Sequence, residues 1–187
     1  MITIKLDRDE VTPHLRKLLK EAATNSPLSR VLGRAASNEL KKHFRERNAN
    51  SANKLGGKRT NFWSRIAESV QSPVPSPGKI VIPISHPAIA QKVFGGTITP
   101  KKAKNLAIPI SAKAYGKSPR VFTGLQFAMT RAGVKLLGMK DGSGGMEWLY
   151  VLKKSVTQSK DPNALPKDAK VGDAMTKAGD IYLRARR

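Results

Sequence analysis

Apolar residues in this chain recur first with a helical period and later by alternation. Ile2, Ile4 and Leu6 alternate with polar residues and predict a short edge strand. Thr12-Pro13, preceded by Asp7, Asp9 and Glu10, predicts a helix start: a cap, a proline at the first helical position and negative charge all suit a helix N-terminus. Leu15, Leu18, Leu19 and Ala22 then share one face. Asn25-Ser26-Pro27 repeats the signal with Ser26 as cap, and Leu28, Val31, Leu32, Ala35, Ala36, Leu40 and Phe44 keep the period to about Arg47. At 1.5 Å per residue this helix runs about 30 Å. Its other face carries Arg30, Arg34, Lys41, Lys42, Arg45 and Arg47, offset by Glu39 and Glu46. Residues 48–59 are polar, contain Gly56-Gly57 and lack a period, so a mobile loop is expected. Thr60 then stands as cap of a third, short helix with Phe62 or Trp63, Ile66, Ala67 and Val70 inward.

Pro73, Pro75 and Pro77 close the helical part, since prolines at this density oppose regular hydrogen bonding. From Lys79 to Ser85, Ile80, Ile82 and Ile84 alternate as one face of a strand. Between His86 and Phe122, short apolar stretches are broken by Gly95-Gly96, Pro100 and Pro109 and read as strands of a small sheet. Leu106-Ala107-Ile108 before Pro109 fits an edge strand, because a central one rarely tolerates proline. Val134–Met139 and Met146–Leu152 predict a hairpin across the glycine-rich turn 140–145. Lys153–Thr157 reads as extended, Asp161-Pro162 and Leu165-Pro166 as turns. Asp168 onward is a closing helix with Val171, Met175, Ala178, Ile181 and Tyr182 inward. The expected fold is α+β: N-terminal helices, one long, packed on a mainly antiparallel sheet. We expect one domain over 1–187, helical in 1–72, with the sheet in 79–157 and the last helix in 166–187.

Charge changes the picture more than composition does. The formal charge is +22, and residues 69–140 hold eleven Lys and Arg with no Asp or Glu. Such a field favours a polyanion: nucleic acid, an anionic membrane or an acidic protein face. Lys92, Lys101, Lys102, Lys104, Lys113, Lys117 and Arg120 are the candidate residues for that contact. With 5% aromatics, base stacking is poorly supported, so any nucleic-acid contact is expected through phosphates and without sequence specificity. Phe62 and Trp63 read as core. The absence of cysteine excludes disulfides and thiolate chemistry, and a cytosolic origin fits. No stretch approaches the roughly 20 apolar residues that span a bilayer, and the N-terminus lacks a signal pattern. His14, His43 and His86 are dispersed and read as surface or capping residues. Asp141 and Asp161 read as turn residues. No nucleophile elbow or phosphate loop is present. We therefore expect no enzyme activity, no metal and no cofactor.

The run His86-Pro87-Ala88-Ile89-Ala90-Gln91-Lys92-Val93-Phe94-Gly95-Gly96-Thr97-Ile98-Thr99-Pro100-Lys101-Lys102-Ala103-Lys104-Asn105-Leu106-Ala107-Ile108-Pro109 resembles the virion morphogenesis or tail-completion proteins of tailed bacteriophages and prophages, the Mu-like group included. Asn61-Phe62-Trp63, Tyr115-Gly116-Lys117, the glycine hairpin before Trp148, Val151-Leu152-Lys153, Asp161-Pro162 and the final helix extend the resemblance over most of the chain, more weakly before residue 50. It implies a structural virion protein of the neck, made in the host cytoplasm. It would form a ring, as a hexamer, at the head-proximal end of the tail, where the genome passes. Implied partners are other copies of itself, head-completion or connector proteins, and tail-terminator or tail-tube proteins. Nonspecific contact with genomic DNA would use the lysines; no membrane is implied. The resemblance transfers no catalytic residue. The alternatives are a nonspecific nucleic-acid-binding protein, which explains the charge, and a tail-terminator or minor tail protein, which differs in the rings it touches.

Overall fold

The computed structural model describes residues 27–76 and 79–185. The expected strand at 2–6, the helix after Thr12-Pro13 and the Ser26 cap lie outside them. In chain order the elements are α1 (Pro27–Asn50), α2 (Phe62–Glu68), β1 (Val74–Ser76), β2 (Lys79–Val81), α3 (Ile89–Phe94), β3 (Gly96–Ile98), β4 (Leu106–Pro109), β5 (Gln126–Met129), β6 (Lys135–Lys140), β7 (Met146–Lys153), β8 (Val156–Gln158) and α4 (Asp168–Arg184), with a 3-10 turn at Pro119–Val121. The fold is α+β, with α1 packed with the C-terminal α4 and antiparallel sheets in the middle of the chain. The strands expected as one sheet are divided among three: Pro83 and Pro100 interrupt the chain between β2, β3 and β4, and β8 leaves the sheet of β7 across Lys154-Ser155 to pair with β3. The described chain falls into two compact units: residues 27–46, 63–76, 79–87 and 165–185, and residues 47–62 and 88–164.

In the first unit the apolar period of α1 does what it predicts. Leu28, Ala36 and Phe44 are buried, and the Phe44 ring stacks on Trp63 with centroids 6.0 Å apart. Ile66, Ala67 and Val70 complete this core. The period does not reveal a second buried row, Ser29, Gly33 and Ser37, spaced four apart. These small residues admit a close neighbour: a Cβ at Gly33 would lie 2.7 Å from Pro73 Cβ and 3.2 Å from Ile80 Cγ2. The prolines do not exclude a ladder there. β1 and β2 pair antiparallel, with Pro75 opposite Ile80, in a two-stranded ribbon where both strands are edges and a missing N–H is tolerated. In α4, Val171, Met175, Ala178 and Tyr182 are half-buried and Gly179 is buried, at a distance where a Cβ would lie 3.4 Å from Leu32 Cδ2. Ile181, expected inward, is 62% exposed, because it is turned about 100° from Tyr182 on the helix.

In the second unit β4, β7, β6 and β5 form, in that order, a four-stranded antiparallel sheet, and β3 pairs with β8. The expected hairpin is β6–β7, closed by Asp141, whose Oδ1 accepts from the Ser143 and Gly145 N–H groups at 3.0 and 2.7 Å. The bond from Ser143 Oγ foremost, then those from the Gly145 and Ser143 N–H groups, hold its carboxyl below the usual carboxylate range. A bulge at Leu137/Gly138 breaks the ladder. Gly138 permits it, since a Cβ there would sit 2.7 Å from both the Glu147 carbonyl oxygen and Trp148 Cε3. Ala114, Leu149 and Tyr150 form the core, with Ala107, Phe122, Leu125, Leu137 and Met139 against it. Edge strand β4 ends at Pro109 as expected. α3 stands where a strand was expected; Gly95, at φ 72°, ends it and donates its N–H to the Gln91 carbonyl. Within 48–59, α1 continues to Asn50 and Asn53 organises a turn, accepting from Leu55 N–H and donating to the Lys58 carbonyl, both at 3.1 Å.

Candidate functional site

The seven basic residues nominated from the sequence all lie in the second unit, on three segments. Lys92 is half-buried on α3; its Nζ is 5.7 Å from the Phe62 ring centroid, and its carbonyl accepts from Asp161 N–H at 2.8 Å. Lys101, Lys102 and Lys104 are exposed in the bend between β3 and β4, three ammonium groups within four residues. Lys113, Lys117 and Arg120 are exposed on the 111–121 segment. That segment is anchored by Ala114 in the core and by Tyr150, whose hydroxyl donates to the Lys117 carbonyl at 3.0 Å. Burial pushes the Tyr150 phenol pKa up, so the hydroxyl stays a donor.

These cations differ in what they offer an anion. Lys113 Nζ lies 3.1 Å from Glu147 Oε2, so part of its charge is already answered. Lys117 Nζ sits 5.6 Å from the Phe122 centroid, an arrangement that orients the ammonium without neutralising it. Among the described residues the lysines of the 101–104 bend have no such carboxylate or ring partner. Each phosphate they neutralised would release counterions.

The same unit exposes apolar side chains at its sheet edge. Phe127 and Met129 on β5 are 60% and 62% exposed and pair with Leu137 and Lys135, so both lie on one face of an edge strand. Phe94 and Val121 are exposed as well.

Sequence reasoning gave the basic face of α1 no role of its own. In the first unit Arg30, Arg34, Ser37, Asn38 and Lys41 of α1, with Glu68 and the 70–73 segment, line an open groove of about 620 Å³. The cation spacing was legible in the sequence. Ser37 was not, because a serine on a polar helix face reads as solvated.

Among the described residues, no three His, Asp or Glu side chains converge as metal ligands, and no helix is long and apolar enough to cross a membrane. Comparison of the chain with protein-family models, curated proteins and solved structures finds no match.

Proposed function

We propose that this chain is a structural virion protein of a tailed phage or prophage, acting in tail completion or head-tail joining as a ring at the neck. The observation that carries the reading is the ordered run from His86 to Pro109, together with the flanking motifs up to the closing helix. The exposed apolar edge of β5 supports it, since a ring needs a contact that repeats by rotation from one copy to the next. The +22 charge supports it too: cations around a channel would face passing DNA or steer the ring onto an acidic neighbour.

The test is electron microscopy of particles from a lysogen lacking this gene, with purified protein added back to half of the lysate. Full heads and unattached tails that join on add-back are the expected result. Normally joined particles without the protein would overturn the reading and leave nonspecific nucleic-acid binding as the account of the charge.

A further inference from the structure

We infer that the groove along α1 in the first unit is a binding site for the phosphodiester backbone of a nucleic acid strand. The inference does not depend on a role in the virion. Positions 30, 34, 37 and 41 fall within about 60° of arc at 3.6 residues per turn, so they form one row along the helix. The row rises about 16 Å from Arg30 to Lys41. That is longer than a single phosphate and suits several successive phosphates of one strand, which advances about 3.4 Å of axis per nucleotide. Among the described residues neither Arg34 nor Lys41 has a carboxylate partner within ion-pair distance.

Ser37 supplies the second, independent observation. It is 5% exposed, it borders the groove, and its Oγ has no hydrogen-bond partner among the described residues. A serine inside a helix ordinarily returns its hydroxyl to a carbonyl one turn back, and a buried hydroxyl left unmatched is destabilising. Rotation about χ1 would turn this hydroxyl to a phosphate oxygen held between Arg34 and Lys41, with the exposed amide of Asn38 as a second donor. Glu68, on the opposite wall, accepts from Ser64 Oγ at 3.4 Å and is the one carboxylate among the described residues that line the groove. It weakens anion binding, but one carboxylate does not cancel both Arg34 and Lys41. The side chains along the α1 wall are polar or charged, which favours a phosphate backbone over an acidic peptide seeking apolar anchors.

The experiment measures fluorescence anisotropy of a short labelled duplex with the full chain and its variants, over a range of salt. Arg34→Gln with Lys41→Gln is expected to lower affinity about tenfold and the salt slope by about 2. Lys170→Gln with Lys177→Gln, an equal charge change on exposed positions of α4, is expected to do much less. Ser37→Ala is expected to weaken binding about fivefold while raising the melting temperature of the free protein, because it deletes an unmatched buried hydroxyl. Glu68→Gln is expected to tighten binding. Equal losses from the two charge pairs would overturn the site, as would unchanged binding by Ser37→Ala. Stronger competition by polyglutamate than by unlabelled duplex would overturn the choice of ligand. So would melting-temperature shifts with inorganic phosphate that the groove variants abolish while duplex binding stays intact. Head-tail joining by the groove variants would not rescue the site, and failure of joining would not sink it.

Discussion

Arg47 Nη2 lies 2.7 Å from Asp161 Oδ2, with both side chains about three-quarters covered, and the other Arg47 amino group donates to the Asn163 carbonyl. The Arg47 hydrogen bond is the largest cause holding the Asp161 carboxyl below its ordinary 3.8, against the opposing effect of burial. A depressed carboxylate stabilises the fold fully above the unfolded value and loses that contribution as pH falls through the lower folded one. Arg47→Ala should therefore cost about 1–2 kcal/mol near neutral pH in denaturant titrations. Its deficit against the native chain should shrink as pH is taken below 3.8. Asp161→Asn should be milder than Asp161→Ala, since an amide oxygen can still accept from Asn163 N–H, now at 3.0 Å. A second residue-scale outcome concerns Tyr150→Phe. Removing the bond to the Lys117 carbonyl should cost about 1 kcal/mol, and hydrogen exchange should speed up at Ala114 and Lys117, whose N–H bonds close that segment. The turn role of Asp161 was legible because its backbone partner lies two residues on. Arg47 was not, being 114 positions away, where no local spacing can name it.

Two glycines on helices should answer the same substitution with opposite sign. Replacing a helix-interior glycine by alanine ordinarily gains about 1 kcal/mol. Gly172 in α4 has nothing within 4 Å of an added Cβ, so Gly172→Ala should raise the unfolding midpoint. Gly33 in α1 would bring that Cβ to 2.7 Å from Pro73 Cβ, in a ring that cannot swing aside. Overpacking of this kind costs about 1–3 kcal/mol, so Gly33→Ala should lower the midpoint despite better helix propensity. Equal stabilisation by both would show that the ribbon of β1 and β2 yields freely to α1. The long elements, α1, α4 and the β6–β7 pair, were legible because period and turn chemistry agree over many residues. α3 was not: Ile89 to Phe94 is too short for a helical period, and its Ile and Val favour a strand by propensity. β1 was hidden by its prolines, which argue against a central strand but not against a two-stranded ribbon.

At the scale of the whole molecule, a chain of +22 repels its own copies, so association must come from apolar contact strong enough to overcome the charge. The excess of positive charge was legible from that number; which cations already have a neighbour was not, because the spacing of lysines does not reveal partners such as Glu147 or Phe122. Under the proposed ring reading, β5 supplies the contact through Phe127, whose full burial is worth about 2 kcal/mol. Raising salt screens repulsion with a Debye length of about 10 Å at 0.1 M. Sedimentation velocity should accordingly show association of the native chain strengthening with salt, the opposite trend to duplex binding. Charge and apolar contact separate in two variants at one position. Phe127→Lys and Phe127→Glu both remove the aromatic ring, but the first raises the net charge and the second lowers it. If the edge drives association, both should remain dissociated at salt where the native chain assembles. Assembly by Phe127→Glu as strong as that of the native chain would show that repulsion alone governs, and the contact between copies would have to be sought away from β5.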